Sequence, residues 1–507
     1  MPPNNSEAER LRKIRKYAIF GVIGVLLLIL LTWYLSNGWV RISTDAKDAT
    51  ITVYQSTGKV TEVKGSSLFS SLRPGSYTIT VVTNKGASSK LVELGYGTIH
   101  VSSITTHNES PAEPVITRNA MDISASNNHV SFIEPEMSRG FSRISPDTYE
   151  HAARESTVQQ IDWLSPDFGA AILTPATPSV NGKIGDPVVG IIDKGTIKDI
   201  PTPFSLRDLP LSVRVTDNSG VAVSAGNVAY VKSSLEAGFK QVIKTERPVS
   251  ILSAKKNLIL FEQKEEKNEV LHGTLISINE DGNRLGSLDV THAVDPSNVP
   301  NADISPDNTL AVVTIAGTAF VYDMSLQEKH ELPSPSTITS ARWLNNTTII
   351  YLSNHRVWKY DLDTKTASSL GKDTDDSQLY YVSIDREGGY AYYATVSTAA
   401  PSRIARVPLD SDKTSSRTEL TDKLSIIFPF YASMALCRAE YVLLAEPSVL
   451  IVKQTEETPE QTEVNLQFCR ETVDAFLDKQ QVDKSSLKFI VGYLDQYWLD
   501  DPYLDIP

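Results

Sequence analysis

The chain has 507 residues, with 61 acidic side chains against 48 basic ones and a formal net charge of −13. A surface of that sign disfavours nucleic acid and anionic lipid as partners, because both bind cationic surfaces. The length exceeds that of one typical domain, so at least two hydrophobic cores are expected.

An uncharged apolar run, residues 17–35, follows a short basic stub, residues 1–16. A helix of that length measures about 28 Å, close to the hydrocarbon thickness of a bilayer. Basic loops stay cytoplasmic and aromatic rings favour the membrane interface, so the run predicts a single-pass anchor with the bulk of the chain outside the cytoplasm. The anchoring residues are expected to be Arg12, Lys13, Arg15, Lys16, Tyr17, Trp33 and Tyr34, with Trp39 just beyond them.

A cleaved signal peptide is the competing interpretation of this run. Signal peptides carry a shorter apolar core and a small-x-small cleavage site. Here bulky residues, Trp33 to Trp39, occupy that place. The pattern therefore favours an uncleaved anchor.

Residues 40–104 contain short alternating segments rich in β-branched and aromatic residues, such as 50–54, 77–82 and 98–101. This pattern predicts the strands of a small β-sandwich. Arg73-Pro74-Gly75 predicts a turn, because proline fixes φ at one corner and glycine accepts a positive φ at the next.

This stretch resembles the PEGA domain family, through residues 48–53 and the pro-gly-x-tyr strand entry at 74–81. The tetrapeptide that names the family is absent. The resemblance implies a spacer or adhesive module of the bacterial cell envelope, without enzyme activity. Residues 105–117, polar and with two prolines, have the composition of a linker.

An apolar strand that ends in Asp or another polar residue recurs every 38 to 47 residues between 118 and 465. Four short antiparallel strands with their turns need about 40–50 residues, which is one propeller blade. Seven copies predict a seven-bladed β-propeller, with six and eight blades as alternatives. The copies are Val189–Asp193, Val228–Lys232, Leu275–Asn279, Phe320–Asp323, Val357–Asp361, Ile404–Pro408 and Val449–Lys453.

A second marker, Ser-Pro-Asp, occurs at 145–147, 165–167 and 305–307, and Trp343-Leu-Asn-Asn346 takes the equivalent place in another repeat. This pattern is similar to TolB-like and WD-repeat propellers. The overall fold class is therefore expected to be mainly β, with an N-terminal transmembrane helix, a sandwich, a propeller and short C-terminal helices.

The C-terminal segment, residues 466–507, has apolar residues every three or four positions, which predicts amphipathic helices. These helices either close the edge of the propeller or form a docking surface. The candidate docking residues are Tyr497, Trp498 and Tyr503.

The sequence contains no catalytic, phosphate-binding or zinc-binding motif, so no catalytic residue, cofactor or metal is assigned. Acidic turns at 373–376 and 279–283 lack the ligand spacing of a known Ca²⁺ loop and are interpreted as solvated turns. Cys437 and Cys469 fit no metal or redox motif; a disulfide and free thiols both remain open.

The leading functional hypothesis is a non-enzymatic, membrane-anchored scaffold that binds envelope proteins or polysaccharide outside the cytoplasm. The alternative is a propeller enzyme that acts on glycans or peptides at the channel mouth. Convergent carboxylates with an Arg or Tyr would favour the enzyme, whereas an uncommitted polar channel would favour binding.

Overall fold

The computed structural model describes residues 32–33, 36–55, 58–135, 140–145, 149–153, 156–175, 186–207, 209–267, 270–293, 300–374, 377–397 and 402–410. No helix within these ranges is long and apolar enough to cross a bilayer. Several predicted features lie outside them: Arg12, Lys13, Arg15, Lys16, Tyr17, Tyr34, the last repeat copy, both cysteines, Tyr497, Trp498 and Tyr503.

The chain divides into two compact units. The first contains residues 1–109 together with 331–335 and 360–369, and the second contains 110–330, 336–359 and 370–507. Each unit has cores of its own, as the length of the chain predicts.

The first unit contains two sheets. One has the order β4-β1-β7, from β1 (Gly38–Ser43), β4 (Ser67–Leu72) and β7 (Ile99–Ser103), with β1 and β7 parallel. The other begins with the order β3-β2-β5-β6, from β2 (Thr50–Gln55), β3 (Gly58–Lys64), β5 (Gly75–Val82) and β6 (Ala87–Leu94), which form one end of a nine-stranded sheet. Within the same unit, Thr366–Ser368 pair with Ser88–Lys90 of β6.

The two sheets share one core, to which β1 contributes Val40 and Ile42 and β5 contributes Ile79 and Val81, all of them fully buried. Along β1, buried residues alternate with residues that face outward because successive side chains point to opposite faces. The predicted β-sandwich is therefore the arrangement that the structure shows for residues 38–104.

The predicted turn at Arg73-Pro74-Gly75 is present, and a hydrogen bond from a side chain stabilises it. Gly75 has a positive φ of 153°. The buried Tyr77 hydroxyl donates a hydrogen bond of 2.7 Å to the Arg73 carbonyl oxygen. Tyrosine is thus used at this strand entry because its ring fills the core while its hydroxyl holds the turn.

Residues 113–410 form seven sets of four neighbouring strands; six sets are separate four-stranded sheets, and the sixth set in chain order belongs to the nine-stranded sheet that also contains β6. Their strands are β10 (Met121–Ser126), β11 (His129–Ile133), β12 (Gly140–Ile144) and β13 (Tyr149–Ala153); β14 (Ser156–Ser165), β15 (Phe168–Pro175), β16 (Val188–Asp193) and β17 (Thr196–Ile200); β18 (Leu211–Val215), β19 (Val221–Ala225), β20 (Val228–Lys232) and β21 (Lys240–Lys244); β22 (Val249–Ala254), β23 (Asn257–Lys267), β24 (Val270–Asn279) and β25 (Arg284–Ala293); β26 (Asn301–Ile304), β27 (Leu310–Ile315), β28 (Thr318–Asp323) and β29 (Glu328–Glu331); β30 (Ile338–Trp343), β31 (Thr348–Ser353), β32 (Arg356–Asp361) and β33 (Thr366–Lys372); and β34 (Ser377–Asp385), β35 (Tyr390–Ser397) and β36 (Arg403–Pro408).

The sheets form a closed cycle. The first strand of each sheet lies beside the first strand of the next, and β34 of the last sheet contacts β10 of the first. Apolar side chains from neighbouring sheets fill the space between them, as with Ile251 and Ile276 against Ala222 and Val231. This is the architecture of a β-propeller, and the prediction of that fold is confirmed.

The segment predicted to be a linker, residues 105–117, differs from the expectation. It contains β8 (Ser110–Pro111), which pairs with Gly371 and Lys372, and β9 (Glu113–Ile116), which pairs antiparallel with β36. The strand β9 completes the last sheet, in the order β34-β35-β36-β9. Its Pro114 reads as linker composition, but proline is tolerated in an edge strand, where no outer neighbour needs its N–H.

The predicted repeat follows one strand of the fold. Its six described copies fall on the third strands β16, β20, β24, β28, β32 and β36. The third strand of the first sheet, β12, was not among the copies. The described residues therefore form seven sets of four neighbouring strands, six of them separate sheets, whereas the seventh predicted copy, at 449–453, lies outside them.

The second marker also has a defined position. The Ser165 and Ser305 copies and the Trp343 copy lie between the first and second strands of their sheets, whereas Ser145 follows the third strand β12. In the Ser305 copy the hydroxyl accepts a hydrogen bond of 2.9 Å from the Leu310 N–H and donates one of 2.6 Å to Asp307. The marker is thus a turn that aligns the second strand.

Candidate functional site in the central channel

The first strands of the seven sheets, β10, β14, β18, β22, β26, β30 and β34, surround the centre of the ring, and we call them the inner strands. Charged and phenolic side chains lie on them and interact electrostatically with one another. We call the following set the channel cluster: Asp122, Asp162, Arg214, Asp303, Arg342 and Tyr381.

The carboxylates of the channel cluster join neighbouring inner strands. Asp162 Oδ2 accepts the Val215 N–H at 2.7 Å, and Asp303 Oδ2 accepts the Trp343 N–H at 2.9 Å. Asp122 Oδ2 accepts a longer bond, 3.3 Å, from Ile161. Each of these carboxylates therefore satisfies a main-chain donor of the next sheet.

Two tryptophans repeat the same connection. The Trp163 indole N–H donates to the Asp122 carbonyl oxygen at 2.6 Å, and the Trp343 indole N–H donates to the Asp303 carbonyl oxygen at 3.0 Å. A tryptophan on an inner strand thus connects its own sheet to the preceding sheet by a hydrogen bond.

The cations of the channel are held in the same way. Arg214 Nε donates to the Leu252 carbonyl oxygen at 2.8 Å and lies 3.9 Å from Asp162 Oδ1. Lys255 Nζ lies 3.7 Å from Asp303 Oδ1. Only 17–28% of the surface of these side chains is exposed. The opposite charges therefore attract each other in a partly desolvated space.

Asp122 and Tyr381 stand out by backbone conformation. They have positive φ values of 48° and 55°, a region that L-residues seldom occupy. Both lie where the strand register shifts, Asp122 between Met121 and Ser124 of β10 and Tyr381 between Tyr380 and Ser383 of β34. Bulges of this kind re-aim side chains and often lie next to functional sites.

Burial changes the protonation of both groups. It raises the pKa of Asp122 to about 6, against the opposing effects of the Ile161 N–H and the Arg214 charge. Burial also raises the pKa of Tyr381 to about 12, and the neighbouring Asp122 charge adds to this. The pKa of Asp162 is raised by burial as well. Tyr381 therefore stays protonated at neutral pH, while Asp122 titrates just below it.

The raised pKa of Asp122 predicts a pH-dependent stability. The protonated carboxyl stabilises the fold fully below its unfolded pKa of 3.8, and this contribution is lost as the pH rises through about 6. We expect Asp122→Asn, which keeps the acceptor for Ile161, to be more stable than the native chain by about 1–2 kcal/mol at pH 8, with the difference disappearing at pH 4. Thermal unfolding across this pH range checks the prediction, and a difference that does not vary with pH would contradict it.

The interpretation of the acidic turns as solvated is wrong at Asp373, which is buried with 6% of its surface exposed. Asp373 forms a salt bridge of 2.6 Å with Arg403 and accepts the Tyr393 hydroxyl at 3.1 Å. Asn279 accepts main-chain N–H groups of Asp281 and Asn283. Across the described ranges, no three His, Cys, Asp or Glu side chains are arranged to hold a metal ion.

Of the site residues proposed from the sequence, Trp33 alone lies in the described ranges. It is 49% exposed, and its ring meets that of Trp39 edge-on, with centroids 5.1 Å apart. Sequence reasoning did not find the channel cluster. The available signal was an acid between apolar residues on a strand that precedes a turn marker, as in Ile161-Asp162-Trp163 and Ala302-Asp303-Ile304.

Comparison with known proteins gives structural neighbours only. No family model and no curated protein matches the chain. YCF48 bound to a D1 peptide is 10% identical over 60% of this chain and 97% of that chain, with a TM-score of 0.40. A chain of the mitotic checkpoint complex is 11% identical over 60% and 96%, with a TM-score of 0.40. KlAtg21 with the coiled coil of AgAtg16 is 11% identical over 58% and 100%, with a TM-score of 0.38. Similarities at this level carry no argument about what this chain binds.

Proposed function

We propose that the protein is a non-enzymatic binding scaffold of the bacterial envelope, anchored in the membrane by residues 17–35 and exposing a propeller outside the cytoplasm. The PEGA-like sandwich is the spacer that follows the anchor. The TolB-like propeller offers its loops to envelope proteins or polysaccharide.

The observation that supports a scaffold is the use of the channel charges. The carboxylates of Asp162 and Asp303 each accept a main-chain N–H of the next sheet and each face a cation within 4 Å. Groups engaged in such bonds hold neighbouring sheets together. A closed and braced ring suits a rigid platform whose specificity lies in surface loops.

The anchored topology is tested with single cysteines in full-length protein whose two native cysteines are replaced by serine. Leu235, 46% exposed in the propeller, is changed to Cys in one variant, and Ser6 of the stub in another. A membrane-impermeant maleimide added to intact spheroplasts should label the cysteine at 235 and leave that at 6 unlabelled until the membrane is opened. The reverse pattern, or recovery of the chain after carbonate extraction in the soluble fraction, would reject the proposal.

The binding role is tested by crosslinking in intact cells followed by mass spectrometry. The native chain should capture the same envelope protein or glycan from independent cultures, and excess soluble ectodomain should compete for it. Absence of any competed partner would count against a scaffold.

One observation favours an enzyme as the second candidate. Asp122, with a pKa of about 6, and Tyr381 are held next to each other in uncommon backbone conformations. A carboxyl with that pKa can donate and accept a proton near neutrality. Cleavage of envelope glycans or peptides by the purified protein, lost in Tyr381→Phe and Asp122→Asn, would replace the scaffold as the function.

A further inference from the structure

The outer face of the sheet β4-β1-β7 is apolar at one end. Val40 and Ile42 of β1 point into the core and are fully buried, so Trp39, Arg41 and Ser43 face outward. The residues beside them on β4 and β7 form three rows across the sheet, given by the strand registers: Ser71–Trp39–Ile99, Phe69–Arg41–Val101 and Ser67–Ser43–Ser103.

The polarity changes along these rows. In the first two rows, Phe69 is 63%, Ile99 55% and Val101 66% exposed, and the Phe69 ring stacks on Trp39 at 5.4 Å. The third row consists of serines alone. Of the twelve large apolar side chains that are exposed within the described ranges, five lie on this face or at its end: Trp33, Phe69, Tyr96, Ile99 and Val101. Single exposed apolar residues need no explanation, but a contiguous patch does.

The apolar end of the face is the end at which the chain enters from the predicted anchor. Ser36 Oγ and Asn37 Nδ2 donate hydrogen bonds of 3.0 and 2.8 Å to the Trp33 carbonyl oxygen. Bonds of this kind satisfy carbonyl groups at the end of a helix, which lack intrahelical partners. The strand β1 then begins at Gly38, and Trp39 contacts Trp33 directly.

Tyr96 lies at the same end. It is 75% exposed, in the turn between β6 and β7. This turn is tied to the entering chain by hydrogen bonds from Gly97 N–H to the Asn37 carbonyl oxygen at 2.9 Å and from Trp39 N–H to the Thr98 carbonyl oxygen at 2.8 Å. The exposed ring is therefore held next to Asn37 and Trp39, where the chain enters the sheet.

We propose that this face, formed by Trp39, Arg41, Phe69, Ile99 and Val101 with Trp33 and Tyr96 at its end, lies in the headgroup interface of the membrane in which the chain is anchored. The inference rests on the proposed anchor. It goes beyond that proposal because it makes the sandwich itself a lipid-binding element, which fixes how the unit is oriented on the bilayer.

The chemistry of the face matches a lipid interface. Tryptophan and tyrosine rings favour the boundary between hydrocarbon and water, and an arginine among apolar side chains extends its charge to phosphates while its stem covers apolar surface. The distance over which the face changes from apolar to polar can be compared with the depth of the headgroup layer. The first and third rows are about 13 Å apart along the strands, whereas the headgroup layer is about 6 Å deep, so the serine row reaches water.

A lipid surface fits the position of the face better than a protein partner does. Only Tyr34 to Asn37 separate Trp33 from β1, and the Trp33 and Trp39 rings are in contact. A helix that ends at the membrane surface leaves the apolar rows within the interface. A second copy or another protein would have to displace lipid to cover them.

The test uses full-length chain with Cys437→Ser and Cys469→Ser, reconstituted in phosphatidylcholine vesicles. A cysteine at Val101 carries an environment-sensitive fluorophore, and vesicles with spin-labelled acyl chains serve as quencher. The matched control is Val60→Cys, which replaces another exposed valine of the same unit, 44% exposed on β3 of the other sheet. Ser103→Cys reports the third row.

We expect quenching at 101 to exceed that at 60 at least threefold, with a blue-shifted emission at 101, and quenching at 103 to fall between them. Phe69→Ser should reduce the quenching at 101 about twofold and leave thermal unfolding unchanged, because Phe69 is largely exposed. Equal quenching at 101 and 60 in chain that floats with the vesicles would overturn the inference and leave the anchor standing.

Two further outcomes are distinguishable. Chain that does not float with vesicles would reject the anchor and the inference together. A blue shift at 101 that persists in detergent and increases with protein concentration would show that a second copy covers the face, and this would also overturn the inference.

Discussion

Arg406→Ala is expected to destabilise the propeller by about 3–5 kcal/mol, because it leaves a buried carboxylate without its partner. Arg406 Nε lies 3.1 Å from Glu113 Oε2, with only 6% and 9% of the two side chains exposed. The guanidinium also lies 4.0 Å from the centre of the Tyr390 ring and donates to the Tyr392 hydroxyl at 3.2 Å. Burial lowers the pKa of Arg406, but the tyrosines and Glu113 outweigh it and the pKa is raised, so the charge is retained.

The location of this pair makes the effect large. Glu113 is on β9 and Arg406 on β36, so the pair holds the strand that completes the last sheet. Once that strand detaches, the ring is open and the main-chain groups of β36 lose their partners. We therefore expect faster proteolytic cleavage within residues 105–117, in addition to a lower unfolding temperature.

The matched control is Arg207→Ala. Arg207 also pairs with an aspartate, Asp186, but their side chains are 73% and 51% exposed. Exposed pairs contribute about 0–1 kcal/mol, since water screens both charges. Equal unfolding temperatures for the two variants would contradict the closing role of Arg406. Glu113→Ala combined with Arg406→Ala should cost less than the sum of the single changes, because the double variant buries no unpaired charge.

The sequence predicted the fold where the pattern is local. Third strands such as Phe320–Asp323 and Val357–Asp361 are apolar and end in a polar turn. Each copy of the repeat is therefore a short contiguous pattern that can be recognised in the sequence. The first sheet escaped this pattern because its third strand carries Ser142 and Arg143, and Ser142 bonds the buried Glu134. A buried polar network there replaces the apolar run.

Closure of the ring could not be predicted in this way. The strand β9 pairs with residues about 290 positions later, and no local periodicity encodes such a partner. Pro114 of this strand, with Pro111 and the polar residues before it, gave the composition of a linker. The channel cluster was missed for a similar reason, since Asp122, Asp162 and Asp303 come together only when separate sheets are arranged in a ring.

Asp385→Asn is the second change for which we expect a large effect, a loss of about 3 kcal/mol, because hydrogen bonds to a buried charge are among the stronger ones. The Asp385 side chain is fully buried at the end of β34. Its Oδ1 accepts the N–H groups of Asn127 and Gly388 at 2.8 and 2.7 Å, and its Oδ2 accepts that of Asn128 at 2.9 Å. Asparagine would place an amide donor against one of these donors.

The measurement is hydrogen exchange of the amides between 125 and 128. We expect their protection to fall at least tenfold in Asp385→Asn, while peptides from β18–β21 keep theirs. The control is Asp323→Asn. Asp323 accepts N–H groups of Ser325 and Gln327 in the same manner, but within a single partly exposed turn. The loss of stability in Asp323→Asn should stay near 1 kcal/mol or below, and hydrogen exchange at 125–128 should not change.

The hydrogen bond to the Ser325 hydroxyl is the largest cause that lowers the pKa of Asp323, to about 2. A lowered carboxyl pKa stabilises the fold above the unfolded value of 3.8 and ceases to do so as the pH falls through 2. The difference in the free energy of unfolding between the native chain and Asp323→Asn should therefore narrow only below pH 4.

Unchanged hydrogen exchange at 125–128 in Asp385→Asn would show that the junction between the last and first sheets does not depend on the Asp385 carboxylate.

The two junction contacts are connected through one residue. Asn128 donates its N–H to Asp385 and accepts a hydrogen bond from Arg406 Nη1 at 3.4 Å on its side-chain oxygen. Its φ of 61° lies in the left-handed region, which asparagine adopts more readily than most other residues. Because the contacts share this residue, Arg406→Ala and Asp385→Asn together should destabilise the ring by at least about 0.5 kcal/mol less than their sum. Additive effects would mean that the inner and outer edges of the junction open independently.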